Sequence, residues 1–296
     1  MKRPLFTGLC TALVTPFLEG KVNGPLLEVL IRRQIDAGAE AIVLAGTTGE
    51  SPTLTQDEKL ELFQVGVRAA GGRCRIIAGT GSNCTANAVE LSVRAQELGV
   101  DGLLVVTPYY NKCTQPGLVK HYEAIAGAVS LPVIAYNVPS RTGVDISVES
   151  CKALSRIPNL AGIKEACGDI SKAGRILAEC DLPVYSGNDD QTLALMALGG
   201  AGVISVASNV VPGPMNAMVK AAQAGDYGLA AALHRRLLPL MELLFCQVNP
   251  IPVKAAMHMI GLDCGSCRMP LDSLTGENSD KLRACLDGLG ILAYNK

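Results

Sequence analysis

Gly102-Leu-Leu-Val-Val106, a polar stretch, a helical pattern over residues 117–128 and then Pro132-Val-Ile-Ala-Tyr136 form the unit whose reading decides the fold. Its two apolar runs have the length of buried strands rather than helices, and one amphipathic segment joins them. Such a unit is β-α-β, and its strands run parallel because the helix carries the chain back to the edge it left. Outward from this unit the same alternation recurs at intervals of about 20 to 35 residues. Strands are predicted near 6–13, 41–44, 75–78, 102–106, 132–136, 160–164, 183–186 and 202–206. Helices are predicted near 25–37, 55–70, 85–98, 117–128, 147–155, 171–179, 191–198 and 212–224. Asp36-Ala-Gly38, Glu97-Leu-Gly99 and Leu198-Gly-Gly200 each supply the glycine that a left-handed helix end requires. Eight βα units predict an α/β fold, a (β/α)8 TIM barrel over residues 1–225. From Asp226 onward the pattern is helical only, with helices expected over Tyr227–Phe245, Pro250–Ile260 and Asn278–Leu289. Residues 226–296 therefore read as a helical region packed on the barrel, with no low-complexity linker between the two.

The 296 residues are 49% hydrophobic and 18% charged with a net charge of −1, which is the profile of an ordinary compact soluble protein and not of a disordered or nucleic-acid-binding chain. The apolar start Leu5–Thr11 is too short and interrupted for a secretory signal or a membrane span, so a cytoplasmic protein is expected. Eleven cysteines, an odd number at irregular spacings, fit scattered reduced thiols better than a disulfide framework. Cys264-Gly-Ser-Cys267 is a lone C-x-x-C, for which Cys285 and His258 are the nearby further ligands a zinc ion would need. The three histidines, His121, His234 and His258, fall in helix-like segments with no metal-pair spacing. The expectation is no metal and no cofactor, and catalysis by an amine rather than a Lewis acid.

In such a barrel the chemistry collects at the carboxyl ends of the strands. Lys164 ends the apolar run Leu160-Ala-Gly-Ile163, so its amine opens from a buried strand into a loop. A nucleophilic lysine must be neutral, and with a reference pKa of about 10.4 only roughly one in a few thousand is neutral at pH 7; apolar walls or a nearby cation raise that fraction. Taken alone, a lysine there is more often a surface residue past a strand. Its company is what singles it out. Gly46-Thr-Thr-Gly-Glu50 follows strand two, with Thr47 and Thr48 able to donate to a carboxylate, and Gly79-Thr-Gly-Ser-Asn83, Thr107-Pro-Tyr-Tyr-Asn111 and Ser186-Gly-Asn-Asp189 close other strands. Tyr136 ends the strand before that of Lys164, and backed by Thr48 it suits proton relay; its bland alternative is a buried tyrosine with a satisfied hydroxyl. Arg141, expected in a loop after two turn-forming residues, is free to clamp a carboxylate through two bonds, or else is a solvated or interface arginine.

Together Gly46-Thr-Thr-Gly-Glu50, Tyr109-Tyr110, Tyr136-Asn-Val-Pro-Ser-Arg-Thr-Gly143 and Ile163-Lys-Glu-Ala166 resemble the pyruvate-dependent class I aldolase superfamily, and within it the dihydrodipicolinate synthase family, over essentially the whole chain. The resemblance implies a lyase in which Lys164 forms an imine with pyruvate, Thr47 and Thr48 hold the pyruvate carboxylate, and Tyr136 transfers protons. Gly187 and Ile204 would line the pocket through their backbone. The enamine would attack L-aspartate 4-semialdehyde, held by Arg141, in the diaminopimelate route to lysine. It also implies a homodimer or homotetramer in which Tyr110 reaches into the neighbouring subunit.

Members of that family are often inhibited by L-lysine in a cleft between subunits, for which the matching positions are Ser51, Pro52, Lys59, Asn83, Asn87 and Tyr109. Asn83 and Tyr109 fit, whereas Lys59 and Asn87 stand where sensitive members tend to carry histidine and glutamate. A cationic effector would meet a like charge and lose a carboxylate, each at a cost of about 1 kcal/mol or more, so weak or absent inhibition is expected. Sister lyases acting on N-acetylneuraminate or 2-keto-3-deoxy sugar acids share the lysine and tyrosine, and Arg141 favours an acidic aldehyde over a polyhydroxylated chain. A non-catalytic keto-acid binding protein is the alternative of another class, and the intact Lys164, Tyr136 and Thr48 set argues against it.

Overall fold

Eight parallel strands close on themselves in the computed structural model, which describes residues 2–293. The strands are β1 (Gly8–Ala12), β4 (Ala41–Leu44), β5 (Arg75–Gly79), β6 (Gly102–Val106), β7 (Val133–Asn137), β8 (Leu160–Glu165), β9 (Val184–Ser186) and β10 (Gly202–Ser205), with β1 pairing both β4 and β10 to seal the barrel. Two two-residue strands, β2 (Phe17–Leu18) and β3 (Lys21–Val22), form a small antiparallel hairpin after β1. Around the barrel run α1 (Gly24–Asp36), α2 (Gln56–Ala70), α3 (Thr85–Glu97), α4 (Gln115–Ala128), α5 (Pro139–Thr142), α6 (Val148–Leu154), α7 (Ile170–Glu179), α8 (Thr192–Ala197) and α9 (Pro212–Gln223). Three further helices follow: α10 (Tyr227–Leu243), α11 (Ile251–Met259) and α12 (Gly276–Gly288). Among the described residues no helix is long and apolar enough to cross a membrane.

Helix starts follow local chemistry. Thr55 caps α2 in a full capping box with Glu58, and Thr114, Ser147 and Asp169 cap α4, α6 and α7 through their side chains, satisfying backbone N–H groups that have no partner within the helix. Gly71, with φ +53°, ends α2 in the left-handed conformation.

Side chains alternate along each strand between two apolar layers. Cys10, Val43, Ile77, Leu104, Ile134 and Ile204 fill the barrel's interior, above a floor where Phe6 and Tyr185 stack with centroids 4.3 Å apart. A larger layer packs the outward faces of the strands against the helices. The interior is thus solid, and a ligand is met only at its rim, where Tyr136 and Lys164 end their strands.

Residues after α9 do more than cover helices. Lys254 of α11 places its ammonium 2.7 Å from Oε1 of Glu50, both side chains almost wholly buried, and the backbone N–H of Arg268 donates to the other carboxylate oxygen at 2.8 Å. The Arg268 guanidinium also pairs with Glu58, and both it and the Lys254 ammonium lie over the Phe17 ring, 4.2 and 4.4 Å from its centroid. Glu50 itself has φ +59°, a backbone state a non-glycine residue holds only under constraint. This buried pair is that constraint, and it fastens the loop after β4 to the C-terminal helices.

Candidate active site

Register brings the two central groups together. Tyr136 and Lys164 are direct partners across the β7–β8 ladder, and since both side chains lie on the same face at the same level, the Lys164 Nζ comes to rest 4.3 Å from the centre of the Tyr136 ring. Lys164 is 5% exposed and, among the described residues, pairs with no carboxylate.

The next rung holds these two in place. Asn137 pairs with Glu165, and the Asn137 amide donates to both Glu165 carboxylate oxygens at 2.8 and 3.0 Å and to Asp145 at 2.7 Å. Glu165 also accepts from the Cys167 N–H, and the Lys172 ammonium sits against Asp145 and 3.5 Å from Glu165. Burial opposes the charge on Lys172, but the two carboxylates outweigh it and raise the ammonium's pKa. With the Asn137 amide, the Cys167 N–H and the Lys172 ammonium around it, the buried Glu165 carboxylate is a rigid support.

Gly187, after β9, closes the far side of Lys164. A Cβ at that position would fall 3.1 Å from Lys164 Cε and 2.5 Å from the Ala166 methyl, so only a hydrogen fits. Asp189 lies just beyond, fully buried, with Oδ2 accepting from the N–H groups of Val206 and Ala207. Burial pushes its carboxyl pKa up against those bonds.

A cavity of about 350 Å³ opens at the rim above Tyr136, lined also by Thr47, Arg141, Tyr109 and Lys59. Thr47 is half-exposed in it, whereas Thr48 is buried behind it, its hydroxyl accepting from Nδ2 of Asn249 at 2.9 Å. Arg141 lies on the single helical turn α5 and not in an irregular loop as the sequence suggests; Pro139 starts the turn and Gly143, at φ +69°, ends it. One guanidinium nitrogen donates to the Asn249 carbonyl at 3.2 Å, its only hydrogen bond among the described residues, which leaves the remaining donors for an anion. The cavity therefore presents a hydroxyl, two tyrosines and a guanidinium at the rim where β7 ends.

Ile204 is wholly buried in the barrel interior, and neither it nor Gly187, Thr48 or Lys164 contributes to the cavity wall. Tyr110 stands apart, 91% exposed with φ +70°. Of the positions compared with an effector cleft, Ser51, Pro52, Lys59 and Tyr109 line the main cavity. Lys59, Asn87 and Tyr109 also line an adjoining cleft of about 230 Å³. Asn83 lines neither, its carbonyl accepting from Asn111 at 3.0 Å. Burial pulls the Lys59 ammonium's pKa below the usual lysine range. Cys264 and Cys267 are buried and half-buried thiols pushed up to about 12 and about 11 by burial, and no metal-binding group of three or more His, Cys, Asp or Glu side chains gathers among the described residues. Sequence reasoning missed Asn249, because nothing in Val248-Asn-Pro-Ile251 betrays a contact made across 201 residues.

The model of the dihydrodipicolinate synthetase family matches residues 5–289. The 4-hydroxy-tetrahydrodipicolinate synthase of Moorella thermoacetica is 49% identical over 287 residues, spanning 96% of this chain and 98% of its own. Among solved structures, the dihydrodipicolinate synthase of Aquifex aeolicus aligns with a TM-score of 0.96 at 44% identity, over 98% of this chain and 100% of its own. A chloride-inhibited dihydrodipicolinate synthase from Acinetobacter baumannii, solved with pyruvate, aligns with a TM-score of 0.95 at 44% identity, over 97% and 100%.

Proposed function

The chain belongs to the dihydrodipicolinate synthetase family, and from that premise we propose a division of labour among its residues for a class I aldolase-type lyase that condenses pyruvate with L-aspartate 4-semialdehyde. The unprotonated Lys164 amine attacks the pyruvate carbonyl carbon, and loss of water leaves an iminium whose positive charge sits over the Tyr136 ring. Tyr136 carries protons in these steps, backed by the Thr48 hydroxyl, and Thr47 and Thr48 hold the pyruvate carboxylate. Loss of a methyl proton gives the enamine, whose carbon attacks the aldehyde of the second substrate and forms the new C–C bond. The substrate's own amine then displaces Lys164 from the imine carbon, which closes the ring of 4-hydroxy-tetrahydrodipicolinate and returns the free lysine.

Arg141 binds the carboxylate of the semialdehyde, and its unspent donors at the cavity rim support that role. Gly187 leaves room beside the lysine stem, and Ile204 backs the pocket from the barrel interior. Tyr110 completes the proton path from a neighbouring subunit in a cytoplasmic homodimer or homotetramer; a ring so exposed on a strained backbone gains most by burial against a partner. The observation that carries the whole reading is the pairing of Lys164 with Tyr136 across adjacent strand ends.

Borohydride reduction in the presence of pyruvate tests it. The expected product is a stable adduct on Lys164, absent from Lys164→Ala, which loses turnover while remaining folded. A folded Lys164→Ala protein that still turns over would overturn the mechanism.

A further inference from the structure

We infer that Asn249 is a positioning residue that commits the Thr48 hydroxyl to donating toward the substrate and steadies Arg141 beside it. The inference rests on the reading in which Thr48 serves pyruvate and Arg141 the second substrate. Asn249 lies between α10 and α11, only 4% exposed. Its Nδ2 donates to Thr48 Oγ1 at 2.9 Å, and its carbonyl accepts from Arg141 Nη2 at 3.2 Å. One residue thus grips both groups assigned to the two carboxylates.

The direction of the first bond carries the consequence. An amide nitrogen can only donate, so the threonine oxygen must accept, and its own hydrogen must point elsewhere. Thr48 Oγ1 makes no other hydrogen bond among the described residues, so that hydrogen is available to a carboxylate or to a proton relay. Were the amide turned over, the hydroxyl would spend its hydrogen on the amide oxygen and have none to offer. The Asn249 Oδ1 is buried and meets no donor among the described residues. The loop bearing Thr48 is meanwhile held by Glu50, whose carboxylate is pinned by Lys254 and the Arg268 N–H, so the threonine cannot swing away to choose another partner.

Asn249→Asp separates the two orientations, because a carboxylate accepts where the amide donates while keeping its shape. The expected result is a loss of about 10- to 100-fold in kcat/KM for pyruvate at neutral pH. The ratio of variant to wild-type activity should then recover as the pH falls and the new carboxyl gains a proton that it can donate to Thr48. Asn249→Ala should lose activity without that recovery, and adding it to Thr48→Val should cost nothing beyond the threonine change. Wild-type protein that pyruvate and borohydride fail to label at Lys164 overturns the site reading and this inference with it. With labelling intact, an Asn249→Asp enzyme of full activity, a pH-independent ratio, or losses from Asn249→Ala and Thr48→Val that multiply overturns the inference alone. Should Asn249→Ala not fold, the pH dependence of the Asn249→Asp ratio decides.

Discussion

Replacing Gly187 with alanine adds one methyl group at the most crowded point beside Lys164. That methyl would lie 2.5 Å from the Ala166 Cβ, 3.0 Å from the Glu165 carbonyl oxygen and 3.1 Å from Lys164 Cε, against an ordinary carbon contact of about 3.5 to 4.0 Å. Roughly 1 Å of overlap must be relieved. The β8 side yields little, since Ala166 N–H donates to the Asn137 carbonyl at 2.9 Å and the Glu165 carbonyl accepts from Gly187 N–H at 2.7 Å. Movement therefore falls on the lysine stem and on the Gly187 backbone. Overpacking of this kind costs about 1 to 3 kcal/mol of stability. A 1 Å displacement of a reacting group costs about 100-fold in rate, or roughly 2.7 kcal/mol of barrier. Denaturant unfolding measures the first, and turnover with both substrates, together with the fraction of protein trapped by borohydride, measures the second. Gly127→Ala is the control: it lies exposed in α4 with no atom beyond its chain neighbours within 4 Å of its added methyl, and should gain about 0.5 to 1 kcal/mol with unchanged turnover. A Gly187→Ala enzyme within about twofold of wild-type rate would refute the account of the lysine's confinement.

Three further outcomes are expected. Arg268 holds the Glu58 carboxyl down at about 2 from an ordinary 4.5, so this group's stabilisation is complete above about pH 4.5 and is lost as the pH falls toward about 2; Glu58→Gln should flatten the pH dependence of unfolding in that window, and an unchanged slope would count against the pairing. Lys254→Met should destabilise by about 3 to 5 kcal/mol by stranding the buried Glu50 carboxylate, and a calorimetric loss under about 1 kcal/mol would show that the pair is not needed. L-lysine should inhibit weakly or not at all, because Lys59 meets it with like charge; half-inhibition below about 1 mM would contradict this.

The barrel was legible because its information is local. All eight barrel strands lie within two residues of their expected ends, since a buried parallel strand is a short apolar run and the glycine after a helix marks where the next begins. The β2–β3 hairpin, two residues a side, is too short to impose a pattern, and α5 reads as a loop in sequence because Pro139 and Gly143 signal a turn whether or not one helical turn separates them. At the site, Lys164, Tyr136 and Gly187 could be placed together because strand ends share a rim. Thr48 could not be placed beside Asn249, nor Glu50 beside Lys254, since side-chain hydrogen bonds between distant segments follow from how the C-terminal helices dock and leave no periodic trace.

Those long-range pins have a consequence for a chain still being made. By Ser205 every stave of the barrel has been synthesised, yet the bonds that tether the first large rim loop join Thr48 to a residue 201 positions later and Glu50 to one 218 positions later. The anchors of the rim loop are thus the last of its contacts to become available, after all the strands it rises from.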